Sequence, residues 1–146
     1  RIEISGSPKL TALLPLHPTI ERGCRTLATQ GKFYITKEDA AQIKVTKEGQ
    51  IYRLMHLFNF VKKKGKFEFH SIELRPELNA KLIHWLPADD KHEKQLAKVT
   101  VKIPDGKSLK GLAEKAVDKL KINTVIQFER FGFCCKQEDA FWFAHR

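Results

Sequence analysis

Long apolar runs are missing from this sequence. No apolar stretch approaches the 18 residues that a helix needs to cross a bilayer, so we expect no membrane span. The opening residues, RIEISGSPKL, have neither the apolar core of a signal peptide nor an initiator methionine. We therefore expect this chain to be a piece of a longer protein.

Cysteine is also scarce, and its spacing excludes the common zinc sites. Cys24 stands alone and Cys134 and Cys135 are adjacent, so no pair of cysteines has the two-residue separation of a zinc site. Three free thiols without a signal peptide are typical of a cytoplasmic protein. The histidines likewise form no recognised metal-ligand spacing, and they are His17, His56, His70, His84, His92 and His145. We therefore predict no metal site. The sequence also shows no pairing of a nucleophile with a base, so we predict no catalytic site.

Acidic residues are fewer than basic ones. The chain has 27 Lys and Arg against 17 Asp and Glu, a net charge of +10. This excess favours a polyanionic partner, either nucleic acid or an acidic membrane surface, although a basic domain without such a partner remains open. The densest cluster, at a predicted hairpin, is Lys62, Lys63, Lys64 and Lys66. It is either a solvated turn that blocks edge pairing or a set of phosphate contacts.

Helical patterns are rare. TKEDAAQI from Thr36 predicts a helix with Thr36 as its N-cap and acidic residues in the first turn. SLKGLAEKAVDKLK from Ser108 predicts a second helix, because Leu112, Val117 and Leu120 would share one face with Ala116.

Strand patterns dominate the rest of the chain. The predicted strands are KFYI from Lys32, IYRLMHLFNFV from Ile51, KFEFHSIEL from Lys66, KLIHWL from Lys81, KVTVKI from Lys98, TVIQFERFGFC from Thr124 and AFWFAHR from Ala140. Many short strands with few helices predict a mainly β fold of barrel or sandwich type. The charged stretch 87–97, PADDKHEKQLA, resembles a linker between two β units.

The stretch VIQFERFGF, residues 125–133, changes the parity of its apolar residues after Arg130. A β-bulge near Glu129 and Arg130 would turn Ile126, Phe128, Phe131 and Phe133 all toward the core. Gln127 and Arg130 would then share the other face, beside open space at Gly132. Such side chains make bidentate contacts with base edges, and nearby aromatics suit an unstacked base. The alternative is a solvent-facing Gln and Arg beside a bulge that only curves the sheet.

Six motifs in one order give the chain a family resemblance. They are LPLHP at 14–18, ERGCR at 21–25, FYITKEDA, KLIHWLP, VIQFERFGF and FWFAHR. Together they resemble the C-terminal anticodon-binding region of glutamyl-tRNA synthetases of the archaeal type, within the class I glutamyl and glutaminyl subfamily. The resemblance covers nearly the whole chain. It implies two small β-barrels with short helical crossovers that grip the anticodon loop of a tRNA.

The resemblance also implies a domain division. We expect a proximal barrel at 1–90, a linker at 91–97 and a distal barrel at 98–146, with strand exchange between the barrels possible. The helix from Ser108 would be a crossover on the second barrel. His17 is expected to brace a turn, and Trp85 and Trp142 are expected to lie in the core.

Three residues are implied to contact an anticodon base. In the related glutaminyl enzymes, an anticodon base is contacted by the arginine that closes the HP…GSR motif and by the glutamine and arginine of QFERxG. These positions match Arg25, Gln127 and Arg130 in this sequence. Cys24 departs from the small hydroxyl residue that usually precedes this arginine. We expect tRNA as the partner, with glutamate tRNA as the acceptor and glutamine tRNA left open. We expect no membrane partner, and the sequence does not indicate an oligomer.

The resemblance implies a parent enzyme, a glutamate–tRNA ligase that uses ATP and magnesium. Its class I catalytic signatures are absent here, so this chain would bind tRNA without a catalytic site or cofactor of its own. Two alternatives stay open: the same region of a glutaminyl enzyme, and a basic β module that docks another protein or an anionic surface.

Overall fold

The computed structural model describes residues 1–17 and 19–146. Pro18, the last residue of the LPLHP motif, lies outside the described residues. The chain forms two compact units, Arg1–Glu93 and Lys94–Arg146. The division falls between Glu93 and Lys94, inside the stretch 91–97 that was predicted as a linker. A strand begins at Leu96, within the same stretch.

The first unit is built from nine strands and one α-helix in its described residues. In chain order these are β1 (Ile2–Ser5), β2 (Leu10–Pro15), β3 (Cys24–Thr29), β4 (Lys32–Tyr34), α1 (Lys37–Val45), β5 (Ile51–Leu54), β6 (Asn59–Lys63), β7 (Lys66–Ser71), β8 (Lys81–Ile83) and β9 (Leu86–Pro87). Seven strands form one sheet in the order β8-β5-β6-β7-β1-β4-β9, and β2 and β3 form a separate antiparallel ribbon. A 3-10 helix, Pro76–Leu78, precedes β8.

The second unit is a five-stranded sheet. Its strands are β10 (Leu96–Lys102), β11 (Ser108–Glu114), β12 (Val125–Phe128), β13 (Gly132–Lys136) and β14 (Phe141–His145), in the order β11-β10-β14-β13-β12. Two short 3-10 helices, Glu93–Gln95 and Lys115–Lys119, precede β10 and follow β11. The core lies on one face of this sheet, where Val101, Ala113, Val117, Cys134 and Phe141 are buried together.

These pairings confirm the mainly β class. Each sheet takes its strands from one unit, among the strands that the structure describes, and exchange of strands between barrels stays a prediction. The first strand, β1, pairs with β4 and β7 of its own unit. Closure of the two units into barrels stays a prediction.

The helix predicted from Thr36 is confirmed. Thr36 has extended dihedrals, and its hydroxyl oxygen accepts a hydrogen bond from the Asp39 backbone N–H at 3.0 Å. This is the N-cap arrangement that satisfies a donor left without an intrahelical partner. Ile43 anchors the helix because its side chain is fully buried.

The helix predicted from Ser108 is wrong. Residues Ser108–Glu114 form strand β11, which pairs with β10 over seven positions, and only Lys115–Lys119 is helical, as a 3-10 turn. Helix propensity is a weak local preference, and a full antiparallel ladder with a neighbouring strand overrides it. Leu112, expected on the buried helix face, is instead partly exposed, whereas Val117 is buried.

The segment IYRLMHLFNFV, expected as one strand, is a hairpin of β5 and β6. The chain reverses at Met55–Phe58, where His56 has a φ of 57° and the Leu54 N–H donates to the Phe58 carbonyl at 2.9 Å. The reversal brings Arg53 beside Asn59, to which its guanidinium donates at 3.0 Å. Arg53 is buried. Its guanidinium also donates hydrogen bonds to the carbonyl oxygens of Ile72 and Glu73, which holds the segment after β7 against β5. Burial lowers the pKa of this guanidinium.

The core of the first unit contains Trp85, as predicted. Its ring meets Phe33 edge-on at 5.5 Å between centroids, and Phe33 meets Phe58 in the same way at 5.7 Å. The indole N–H donates to the Met55 carbonyl at 2.9 Å, so burial leaves this donor satisfied.

Candidate nucleic-acid interface

The stretch VIQFERFGF is a hairpin, so the predicted β-bulge near Glu129 and Arg130 is wrong. Val125–Phe128 forms β12, the chain turns through Glu129 and Arg130, and β13 begins at Gly132. The Phe131 N–H donates to the Phe128 carbonyl at 2.9 Å and closes the turn. The apolar residues change parity because the chain reverses direction, not because one strand carries an extra residue.

The hairpin still directs most of its aromatics inward. Phe128 packs edge-on against Phe141 with 5.0 Å between ring centroids, and Phe131 meets Phe143 in the same way at 5.7 Å. Ile126 packs against the same core. Phe133 departs from the prediction, because it pairs with Gln127 across the hairpin and stacks on His145 outside this core cluster.

Gly132 does not leave open space, contrary to the prediction. Its φ is +146°, a conformation that L side chains rarely adopt. A Cβ atom there would lie 2.7 Å from a ring carbon of Phe143 and 2.8 Å from the His145 carbonyl oxygen. Glycine is therefore required for β14 to pack directly against the end of the hairpin.

Gln127 and Arg130 lie together on this hairpin, three residues apart, and both are exposed. Arg130 has a φ of 63°, a left-handed conformation that costs a non-glycine residue energy. A glycine would adopt this conformation more easily. The turn therefore carries a guanidinium at a position where an arginine backbone is strained. Strain of this kind clusters at functional sites. The amide and guanidinium can both make paired hydrogen bonds with a base edge.

Arg25 lies in the first unit, on β3, opposite Leu14 of β2. Its guanidinium donates to the Pro15 carbonyl at 3.0 Å, so the arginine is held along the β2–β3 ribbon. Because Arg25 and the hairpin belong to different units, their convergence on one base stays a prediction from the resemblance.

His17 braces the loop at the end of this ribbon, as predicted. Its Nδ1 accepts hydrogen bonds from the backbone N–H groups of Thr19, at 3.2 Å, and Ile20, at 3.0 Å. The Leu16 N–H donates to the Gly23 carbonyl at 3.0 Å and closes the loop. This arrangement gives His17 a structural role as an acceptor.

The lysine cluster occupies a tight hairpin between β6 and β7. Lys64 and Gly65 both have positive φ, as the two central residues of a type I′ hairpin turn require. Their N–H groups donate hydrogen bonds to the Glu48 carboxylate at 2.5 and 3.1 Å. Lys63 forms an ion pair with Glu68 at 3.7 Å. The side chains of Lys63, Lys64 and Lys66 are exposed.

Lys62 differs from the rest of the cluster. Its ammonium donates to the carbonyl oxygens of Lys44, at 2.6 Å, and Thr46, at 2.9 Å, at the carboxyl end of α1. A cation there satisfies carbonyls left without intrahelical partners and complements the helix dipole. Lys62 therefore has a structural role that its three neighbours do not share.

Within residues 1–17 and 19–146, no group of three or more His, Cys, Asp and Glu side chains is placed to hold a metal ion. No helix in the described part of the chain is both long and apolar enough to cross a membrane.

Trp142 lies at the surface, so its predicted place in the core is wrong. It was expected in the core, but it is 54% exposed, whereas the preceding Phe141 is 2% exposed. The strand FWFAH alternates, and with Phe141 and Phe143 packed inward, Trp142 must point outward. The alternation of this strand is the signal that identifies Trp142 as outward-facing, and it outweighs the general preference of tryptophan for the interior.

Two family descriptions match this chain and together cover most of both units. Both read "tRNA synthetases class I (E and Q), anti-codon binding domain", and they match residues 1–79 and 82–137. The second match, at 82–137, includes Gln127 and Arg130, and the first includes Arg25.

Curated relatives are similar over nearly the whole chain. A glutamate–tRNA ligase of Methanocaldococcus jannaschii is 35% identical over 100% of this chain and 27% of its own length. One of Pyrococcus abyssi is 40% identical over 90% of the chain and 23% of its own length, and one of Methanosarcina barkeri is 33% identical over 99% and 25%. The chain thus spans about a quarter of the length of these relatives.

Both matched segments are built mainly from strands. The family matches and the similarity to the relatives over nearly the whole chain lead to one conclusion. The chain belongs to the family of anticodon-binding domains of the class I tRNA synthetases of the glutamate and glutamine type.

Proposed function

We propose that this chain is the anticodon-binding region of a glutamate–tRNA ligase. It would hold the anticodon arm of glutamate tRNA while another part of the parent enzyme joins glutamate to the tRNA. The observation that carries the proposal is that anticodon-binding family matches cover both units, in a chain similar to named glutamate–tRNA ligases. ATP and magnesium would be needed only by the parent's catalytic part.

The proposed chemistry divides into base reading and phosphate binding. Gln127 and Arg130 would hydrogen-bond the edge of one unstacked anticodon base, and Arg25 would contact the same base. Lys63, Lys64 and Lys66 would contact phosphates, which adds affinity without reading sequence. The net charge of +10 supports this second role.

A salt-controlled titration tests the proposal. The chain is titrated with glutamate tRNA and with a copy that carries a substituted anticodon, at several salt concentrations. We expect tighter binding of the glutamate tRNA at every salt concentration. Log affinity should fall linearly with log salt, with a slope of about −0.7 for each single-stranded phosphate neutralised. Equal affinity for both tRNAs and for an unrelated polyanion would contradict the proposal and favour a basic module for anionic surfaces.

The glutaminyl enzyme is the second candidate, because the matched family description names both amino acids, by the letters E and Q. The parent's catalytic part decides between them. Aminoacylation of glutamate tRNA and of glutamine tRNA by the full-length parent distinguishes a glutamyl from a glutaminyl enzyme. We expect glutamate tRNA to be charged.

We also propose a cytoplasmic location for the parent. The three cysteines are free, and Cys134 is buried in the core of the second unit. Free thiols of this kind are typical of a reducing compartment. Fractionation of the native cell with an antibody against the chain is the direct test.

A further inference from the structure

The five-stranded sheet has one face that the core does not cover. We call this the outer face, and strand register defines it. Gln127 pairs with Phe133 and Phe133 pairs with His145, so these three side chains form one row across β12, β13 and β14. Val125, Cys135, Trp142 and Lys102 form the next row by the same pairings. Paired residues in neighbouring strands point to the same side, so both rows lie opposite the core.

Of the aromatic rings on the outer face, Trp142 and His145 are exposed and Phe133 is half-buried. Trp142 is 54% exposed, whereas its neighbour Phe141 is buried in the core on the opposite face. Phe133 and His145 lie nearly parallel, with 4.7 Å between ring centroids and 27° between ring planes. Large exposed apolar groups on a soluble domain commonly mark binding surfaces. The two rows are two residues apart along β13, about 7 Å.

Positive charge lies on the outer face beside Trp142 and along β10 and β11. The Lys102 ammonium lies 5.9 Å from the centroid of the Trp142 ring and also pairs with Asp139 at 3.1 Å. Register places Lys98 and Lys110 on the same face, on β10 and β11, while Glu114 is at its far end. The outer face therefore combines flat rings, one exposed amide and an excess of cationic side chains.

We propose that the outer face is a stacking platform for unstacked bases of a single-stranded RNA segment. Trp142 is one stacking position and the Phe133–His145 pair is the other. Gln127 lies in the same row as that pair, so a base stacked there presents its edge to the amide. Sheets that carry exposed aromatics and basic rims bind single-stranded RNA in this way. The inference rests on the proposed function and extends it, since it assigns base-stacking residues to the anticodon-binding surface.

The test uses the whole chain and an RNA hairpin with the anticodon loop of glutamate tRNA. Trp142→Ala should weaken binding roughly 5- to 150-fold, the range expected for loss of one stacked base. Trp142→Phe should retain most of the affinity. Neither variant removes a charge, so the salt dependence should be unchanged. Val45→Ala is the matched control, because Val45 is an 85% exposed apolar residue in the other unit, and it should bind like the parent chain.

Two further measurements separate stacking from other roles. Loop nucleotides are replaced one at a time by abasic ribose, and at one position the abasic RNA should bind the Trp142→Ala variant and the parent chain equally. RNA should quench tryptophan fluorescence of the parent chain but not of Trp142→Phe, in which only the buried Trp85 remains. Thermal melting of each variant checks that it is folded.

The outcomes that overturn the inference differ from those that overturn the proposed function. If Gln127→Ala weakens RNA binding while Trp142→Ala and His145→Ala do not, the platform is refuted and the proposed function stands. A loss in Trp142→Ala that is the same for every abasic RNA also refutes stacking. If the parent chain does not prefer the cognate loop at all, the proposed function fails and the inference fails with it.

Discussion

Gln127 and Phe133 stand directly opposite each other across the β12–β13 hairpin, with both side chains on the outer face of the sheet. The next residue, Phe128, points the other way and packs on Phe141. Adjacent residues of one short strand therefore have separate tasks. Gln127 is available to a ligand, while Phe128 holds the strand to the core.

We expect Phe128→Ala to reduce stability without changing base preference. Truncation of a buried phenylalanine costs about 3–5 kcal/mol, and partial exposure of Phe128 places the expected loss near 3 kcal/mol. Chemical denaturation measures this loss. Binding of cognate and anticodon-substituted RNA, measured well below the melting temperature, should keep the same affinity ratio. A changed ratio would mean that Phe128 takes part in recognition.

A pair of glycines tests the packing at the end of the hairpin. Gly132→Ala should destabilise the chain by about 1–3 kcal/mol, because a Cβ there collides with the Phe143 ring and the His145 carbonyl. Gly111→Ala in β11 is the control, since nothing lies within 4 Å of its Cβ position. Thermal denaturation should show no loss for Gly111→Ala. Equal stability of the two variants would refute the tight packing of β14 on this turn.

The helix at Thr36 was predictable because its signals are local. An N-cap threonine and early acidic residues act within one turn, so no distant contact is needed to recognise them. The Ser108 helix failed for the opposite reason. Its pattern is compatible with a helix, but pairing with β10, a non-local interaction, decides the structure.

The hairpin at Glu129 and Arg130 was missed because its turn lacks the usual residues. An arginine at positive φ is uncommon, and Asn-Gly or Asp-Gly would have marked the reversal. The hairpin removes the bulge that was predicted to place Gln127 and Arg130 on one face. Both remain candidate residues because the family resemblance implies them independently. The outer face could not be assembled from sequence, since its rows depend on the register of β12, β13, β14 and β10.

The lysine cluster should separate into structural and binding residues. Lys62→Ala should lower stability by about 0.3–1 kcal/mol, because it removes a cation from the carboxyl end of α1. Lys64→Ala should leave stability nearly unchanged and reduce the magnitude of the salt slope of RNA binding by about 0.7. Denaturation and salt titration of both variants measure these effects. An unchanged slope for Lys64→Ala would assign that lysine to ordinary solvation.

Cysteine labelling should follow burial. Burial raises the pKa of the Cys134 thiol, which keeps it protonated and inaccessible in the folded chain, whereas Cys24 is exposed. We expect iodoacetamide to modify Cys24 first and Cys134 only on unfolding, as followed by mass spectrometry. Burial disfavours the thiolate, so the unfolded chain loses this proton at a lower pH than the folded chain. The stability of the folded chain should therefore be unaffected by this thiol below both pKa values and fall as the pH rises above the thiol pKa of the unfolded chain and through that of the folded chain. Rapid labelling of Cys134 at neutral pH would contradict the structure.

The central claim is that Gln127 and Arg130 read one anticodon base, and a double-mutant cycle tests it most directly. Gln127→Ala, Arg130→Ala and the double variant are titrated with the cognate RNA hairpin and with copies substituted at each anticodon position. Arg130→Gly is the backbone control, because glycine relieves the positive φ and should bind like Arg130→Ala while being more stable by about 1 kcal/mol.

We predict that each single variant weakens cognate binding by about 1–3 kcal/mol and relaxes discrimination at the same base position. The double variant should lose less than the sum of the two, because both side chains contact one base. If Arg130→Ala weakens cognate and substituted RNA equally, Arg130 contributes only a phosphate or structural contact, and the claim is contradicted.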